Sequence, residues 1–182
     1  MNIILASNSP RRKELLKNAG VNFKVIPSNC HEPENVDLTP EKYAEFLSKL
    51  KAENVLSSND AVVIGADTIV VMGDKILGKP TDFDNAVSML ELLSGKTHKV
   101  ITGYTVASKN KTITSHEVTF VTFNNLTNQQ ILNYLNEMQP FDKAGAYGIQ
   151  DGFDLVKQID GCYDNVVGLP TNKILSVLAE FV

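Results

Sequence analysis

Hydrophobic positions change their spacing along the chain, and the changes mark out elements. Asn2–Ala6 is a short continuous apolar run and reads as a buried strand. Ser9 then stands as an N-cap before Pro10, and a helix is expected to about Ala19, closed by Gly20. Asn22–Ile26 reads as a second strand, and residues 27–38 as a polar loop. Thr39-Pro40 opens a helix whose apolar positions are Tyr43, Phe46, Leu47 and Leu50. Ala61–Gly65 is a strand expected to break at Asp67; Thr68–Met72 and Lys75–Leu77 flank the hairpin signal Gly73-Asp74.

Thr81 with Asp84 reads as a capping box for a helix carrying Phe83, Ala86, Val87, Leu90 and Leu93 on one face. Thr97–Ser108 and Thr112–Phe123 are β-rich and joined by a short polar turn, and Thr127 with Gln130 caps a helix to about Met138. Phe153–Ile159 and Val166–Val167 read as strands, and Thr171–Phe181 as a closing helix. Strands and helices alternate early, and a hairpin interrupts them. The expected fold class is α/β, a mixed sheet flanked by helices, within one domain over 1–182.

Composition narrows the function. With 182 residues the chain can bury roughly 70% of its unfolded surface and needs no disulfide or metal to fold. The net charge of -4 argues against a sequence-independent grip on nucleic acid, so any positive patch must be local. Two cysteines, Cys30 and Cys162, are too few for a disulfide framework and fit a reducing cytoplasm. No secretory pattern and no membrane span is read, so a cytoplasmic protein without membrane contact is expected.

Four places break local rules. Arg11, Arg12 and Lys13 crowd the first turn of a helix, where the dipole disfavours cations; a bound polyanion would reverse that sign. Ser7 faces the same loop. The alternative is a solvated basic turn. Asp67 stands alone among apolar residues and needs a metal, a base role or a capping role, unless it is a turn residue bonded to its own backbone. Lys79, between Gly78 and Pro80, suits a fixed charge for phosphate, although a plain surface lysine has the same appearance. In Asp142–Gln150 small residues allow close backbone approach; Tyr147 could stack on a base and Gln150 could read a base edge or an α-phosphate, against a plain tight turn. Ser94-Gly95-Lys96-Thr97 is a false Walker A ending, because Leu90 occupies the required glycine position.

These places together resemble the Maf family of nucleoside triphosphate pyrophosphatases. The resemblance rests on Leu5–Arg12 with Glu14-Leu15-Leu16, Gly65-Ala66-Asp67-Thr68, Leu77-Gly78-Lys79-Pro80, Leu93–His98, Asp142–Gln150 and Val166–Pro170, in family order. It implies an inosine triphosphate pyrophosphatase-like fold with a cleft between two lobes. It also implies hydrolysis of a nucleoside triphosphate to monophosphate and pyrophosphate, with a divalent cation, Mg²⁺ or Mn²⁺, as cofactor.

By the same resemblance Ser7, Arg11, Arg12, Lys51 and Lys79 grip phosphate, and Asp67 is the catalytic carboxylate. Glu32 and Asp67 would hold the metal; His31 stands before Glu32 where the family usually has another acid. The Gly145–Gln150 run resembles the dTTP/UTP branch, in which Arg12, Thr68 and Gln150 bear on substrate choice. A house-cleaning role in the nucleotide pool follows, and the competing reading is a non-catalytic nucleotide-binding regulator of septum formation. A homodimer is the common arrangement for small enzymes.

Overall fold

The computed structural model describes residues 2–33 and 36–181. The expected loop 27–38 is irregular where described; residues 34 and 35, and the ends of the chain at 1 and 182, lie outside the described residues. Fourteen named runs build the chain as β1 (Ile3–Leu5), α1 (Pro10–Asn18), β2 (Lys24–Val25), α2 (Pro40–Leu56), β3 (Val62–Met72), β4 (Lys75–Leu77), α3 (Phe83–Leu93), β5 (Thr97–Ala107), β6 (Thr112–Phe123), α4 (Asn128–Met138), a 3₁₀ turn (Ala144–Ala146), β7 (Val156–Asp160), α5 (Tyr163–Val167) and α6 (Thr171–Leu178); a last 3₁₀ turn, Ala179–Phe181, follows.

The strands form one mixed sheet in the order β2-β1-β3-β5-β6-β7. The β2-β1-β3 part is parallel and the β3-β5-β6-β7 part antiparallel. Strand β3 is the hinge of this topology. One edge pairs with β5 from Val63 to Val71. The other edge pairs with β1 as far as Ile64 opposite Leu5, and with β4 from Val70 opposite Leu77. Between Ile64 and Val70 this edge has no strand partner among the described residues. The expected break at Asp67 is therefore not in the strand, which runs straight through with Asp67 opposite Gly103. The interruption lies in its neighbours.

Alternation along β3 sorts its side chains to the two faces. Val62, Ile64 and Ala66 pack with Leu16 of α1 and with Ile174 and Leu178 of α6, and further along the strand Val70 joins α3 and α4 through Leu90, Leu93, Ile131 and Tyr134. Val63, Ile69 and Val71 face α2 instead.

Helix α2 differs from expectation in its packed side. Ala44, Leu47, Ser48, Ala52 and Val55 are buried, while Phe46 is exposed. The reason is two glycines in the sheet. A Cβ on Gly65 would lie 2.2 Å from the Ser48 carbonyl oxygen, and one on Gly103 would lie 2.1 Å from that of Ala44. The helix backbone rests on strand backbone, so the small residues turn inward and the bulky ones are displaced.

Two further expectations change. Asp82, not Thr81, caps α3: its carboxylate accepts from the Asn85 N–H at 2.7 Å, and the Asn85 amide oxygen accepts from the Thr81 N–H at 3.2 Å. Val166-Val167 is helical rather than extended. Buried Asn165 donates to the Val100 carbonyl at 3.0 Å and to Thr119 Oγ1 at 2.9 Å, which docks this turn on the sheet, and two β-branched residues are too few to override it. The capping box Thr127–Gln130 forms as expected.

Candidate active site

The open edge of β3 is the floor of a cleft of about 1090 Å³. Because no strand covers Gly65–Ile69 there, side chains from both faces of the sheet reach one opening. Asp67 and Thr68, adjacent and therefore on opposite faces, both line it. The cleft brings together Ser7, Arg11, Arg12, Glu32, Lys51, Asp67, Thr68, Lys79 and Gln150, the positions to which the resemblance gives a site role; Lys13 of the same basic turn does not line it. Arg11, Arg12, Lys51, Lys79 and Lys143 set five cations against the carboxylates of Glu32, Asp67 and Asp142, in a protein of net charge -4.

The near wall is built where β1 ends and α1 begins. Ser9 caps α1, its hydroxyl accepting from the Arg12 N–H, and the first turn contains no acidic residue. Ser7 Oγ accepts from the Ser9 N–H at 3.2 Å and from an Arg12 guanidinium nitrogen at 3.3 Å. Arg12 also donates to the Gly168 carbonyl at 2.8 Å and to Thr68 Oγ1 at 3.0 Å. Burial is the largest influence on Arg12 and pulls its pKa below the ordinary value; the charge of Arg11 adds to this, while Asp67 and Glu32 oppose it. The near wall is thus a cationic surface that gains from an anion. Arg11 meanwhile reaches across to Asp142 at 3.0 Å.

On the α2 face Lys51 Nζ lies 2.5 Å from Asp67 Oδ1 and 2.9 Å from Glu32 Oε1. Burial and the charge of Arg12 work against the Lys51 ammonium, but Asp67 and Glu32 outweigh them, and its pKa rises. The half-buried carboxylate of Asp67 therefore has a partner, and neither a cap nor a turn explains it. Two carboxylates from separate segments converge on one cationic centre. Their oxygens suit a hard divalent ion. Among the described residues no three acidic, His or Cys side chains are placed to hold one metal ion, so two protein ligands would leave most positions to water and phosphate.

The far wall is formed by the loops at Lys79 and at 142–151. The Gly145 N–H donates to the Gly78 carbonyl at 3.0 Å, which ties the Lys79 loop to the 3₁₀ turn. Lys79 is exposed and has no ion-pair partner among the described residues. Gln150 is exposed to the cleft. Tyr147 differs from the stacking platform expected of it. It is 6% exposed, its hydroxyl meets His98 Nε2 at 2.8 Å, and its ring packs edge-on against Phe123. Burial drives its hydroxyl pKa up.

Several residues at the site carried no sequence signal. Thr102 bonds Thr68 Oγ1 at 2.9 Å and donates to the Asn165 carbonyl at 3.0 Å, which supports Thr68 from below. A threonine in a strand looks ordinary. Asp142 was visible only as the start of a small-residue segment, and nothing local tied it to Arg11, 131 residues away.

Comparison with known proteins gives the family and the fold. The family model described as "Maf-like protein" matches residues 2–181. A dTTP/UTP pyrophosphatase of Thermosipho africanus is 51% identical over 180 residues, covering 98% of this chain and 92% of the relative. One from Bacillus pumilus is 50% identical over 181 residues, covering 98% and 96%. Among solved structures, a HAM1 protein from Coxiella burnetii is similar at a TM-score of 0.52 over 99% of both chains, with 14% identity. The Staphylococcus aureus Ham1 protein reaches 0.50 over 68% of this chain and 72% of its own, with 13% identity. These two bear on the fold alone.

Proposed function

The chain belongs to the Maf family, and from that premise we propose that it hydrolyses dTTP and UTP to the nucleoside monophosphate and pyrophosphate. The observation that carries the reading is the convergence of two arginines, two lysines and the Asp67 carboxylate on one opening in the sheet. The names of the relatives favour hydrolysis over a purely regulatory binder.

The triphosphate lies against the start of α1, where Ser7, Arg11 and Arg12 face it, with Lys79 on the far wall. Their charge offsets the repulsion between nucleophile and substrate and stabilises the transition state. Asp67 orients a water molecule and takes its proton. The water oxygen bonds to the α-phosphorus, the bond from that phosphorus to the bridging oxygen breaks, and pyrophosphate leaves with the electron pair. Lys51, 2.5 Å from Asp67 Oδ1, holds that carboxylate in place. Glu32 and Asp67 are the residues that would hold Mg²⁺ or Mn²⁺, which supplies further neutralisation of phosphate charge when bound.

At the other end Gln150 and the neighbouring backbone meet the base. Thymine and uracil share one hydrogen-bonding edge, so both fit, and the methyl group adds about 1–3 kcal/mol at most. Release of pyrophosphate from a panel of triphosphates with Mg²⁺ or Mn²⁺ tests the proposal. Preferential release from dTTP and UTP is expected. Preference for ATP or GTP removes the base assignment, and stabilisation by nucleotide without any product removes the reaction.

A further inference from the structure

Gln150 sits in an exposed turn, yet its two ends are tied to one buried hydroxyl. Tyr134 of α4 is fully buried, and its ring packs edge-on against Phe153. Its hydroxyl accepts from the Gly148 N–H at 2.9 Å and donates to Asp151 Oδ2 at 2.7 Å. The Asp151 N–H in turn donates to the Gly148 carbonyl at 3.2 Å, closing a four-residue turn with Ile149 and Gln150 at its tip. Lys143 Nζ, 3.6 Å away, balances the Asp151 carboxylate. A Cβ on Gly148 would lie 2.6 Å from that carboxylate, so only glycine leaves room for the closure. One residue upstream, the Tyr147–His98 bond anchors the entry to the turn.

We infer that Tyr134 is a positioning residue for base selection, acting through the Gly148–Asp151 turn that presents Gln150 to the cleft. The inference rests on the reading that Gln150 meets the base. A turn held only by its own backbone samples many orientations of Gln150, and a hydrogen bond to the base must then offset that lost order. A phenol that both accepts and donates fixes the two ends at once. Burial together with the Asp151 carboxylate raises the Tyr134 pKa, so the hydroxyl keeps the proton it must donate.

Tyr134→Phe deletes the oxygen and retains the ring. The expected result is a KM for dTTP about tenfold higher with kcat within about twofold, the scale of one lost hydrogen bond to a charged group. Inhibition by inorganic tripolyphosphate, which has no base, should keep its Ki. Amide exchange at 148–151 should quicken. Asp151→Asn retains an acceptor for the phenol and should preserve most of the affinity; Asp151→Leu should reproduce the Tyr134→Phe result and carries the test if Tyr134→Phe does not fold. An unchanged KM for dTTP, or equal weakening of dTTP and tripolyphosphate, overturns the inference. Gln150→Ala separates the two claims. If it raises the KM and Tyr134→Phe does not, the clamp alone is wrong. If it has no effect while exchange at 148–151 still quickens in Tyr134→Phe, the base reading is wrong and selectivity through Tyr134 falls with it.

Discussion

The two ends of the cleft are held by different means. At the phosphate end most of the charged groups stand on regular elements: Arg11 and Arg12 in the first turn of α1, Lys51 in α2, Asp67 within β3, with Glu32 and Lys79 added from loops. Their positions follow from hydrogen-bonded backbone, and the side chains brace one another directly. At the base end Gln150 lies on a loop whose shape depends on buried hydroxyls from α4 and from the 3₁₀ segment. The first end needs charge at fixed points, because a triphosphate is the same in every nucleotide. The second must distinguish similar planar rings, and there a shift of the loop changes the outcome.

The contrast can be broken most severely at Asp67. Asp67→Asn should leave the fold intact and lower kcat by about 10²–10⁴, the usual size of a general-base contribution, read as pyrophosphate release under saturating dTTP. Retained turnover in a folded variant would remove Asp67 from the chemistry. Arg12→Lys should lower kcat/KM by about 10²-fold, since an ammonium keeps the charge but cannot span Gly168, Ser7 and Thr68 together. Arg11→Lys is the comparison and should cost less; an unchanged kcat/KM in Arg12→Lys would show that charge alone matters there.

The base end is sensitive to acid through the core beneath it. His98 is buried, and burial lowers its pKa to about 4 from 6.5. The unfolded chain takes up this proton below its own pKa while the native state resists it. Stability from this group is therefore complete above pH 6.5 and declines as pH falls to about 4, by something on the order of 2–4 kcal/mol. Urea unfolding across that window should show a shallower acid slope in His98→Gln than in the native chain; equal slopes would assign the loss to carboxylates. The smallest effect is expected at the mouth. Asp142 is largely exposed and occupies Arg11, so Asp142→Asn should lower KM for dTTP by about two- to threefold, within the range of an exposed ion pair. A raised KM would instead make Asp142 part of the binding surface.

The same contrast separates what is legible in the sequence from what is not. The Ser9-Pro10 cap, the Gly73-Asp74 hairpin and the Thr127–Gln130 box are local signals, and each formed where expected. The basic turn of α1 and the lone Asp67 were visible because they violate local preferences, and the structure draws them into one cleft. Non-local geometry was not visible. The gap in the sheet arises from where β1 ends and β4 begins, and hydropathy placed it inside β3 instead. Phe46 looked like core because nothing in the pattern of α2 records the two glycines beneath it. Tyr147 looked like a stacking surface because its partner, His98, is 49 residues away.

Gly65 gives the phosphate end a hidden dimension. It stands two residues before Asp67, under Ser48 and Ala52 of α2, and Lys51 lies between those two positions on the helix. The missing methyl group acts as a shim of zero thickness. Any side chain there would lift the helix and, with it, the ammonium away from the carboxylate it steadies. The reach of Lys51 is thus calibrated from beneath the helix, at a position outside the lining of the cleft.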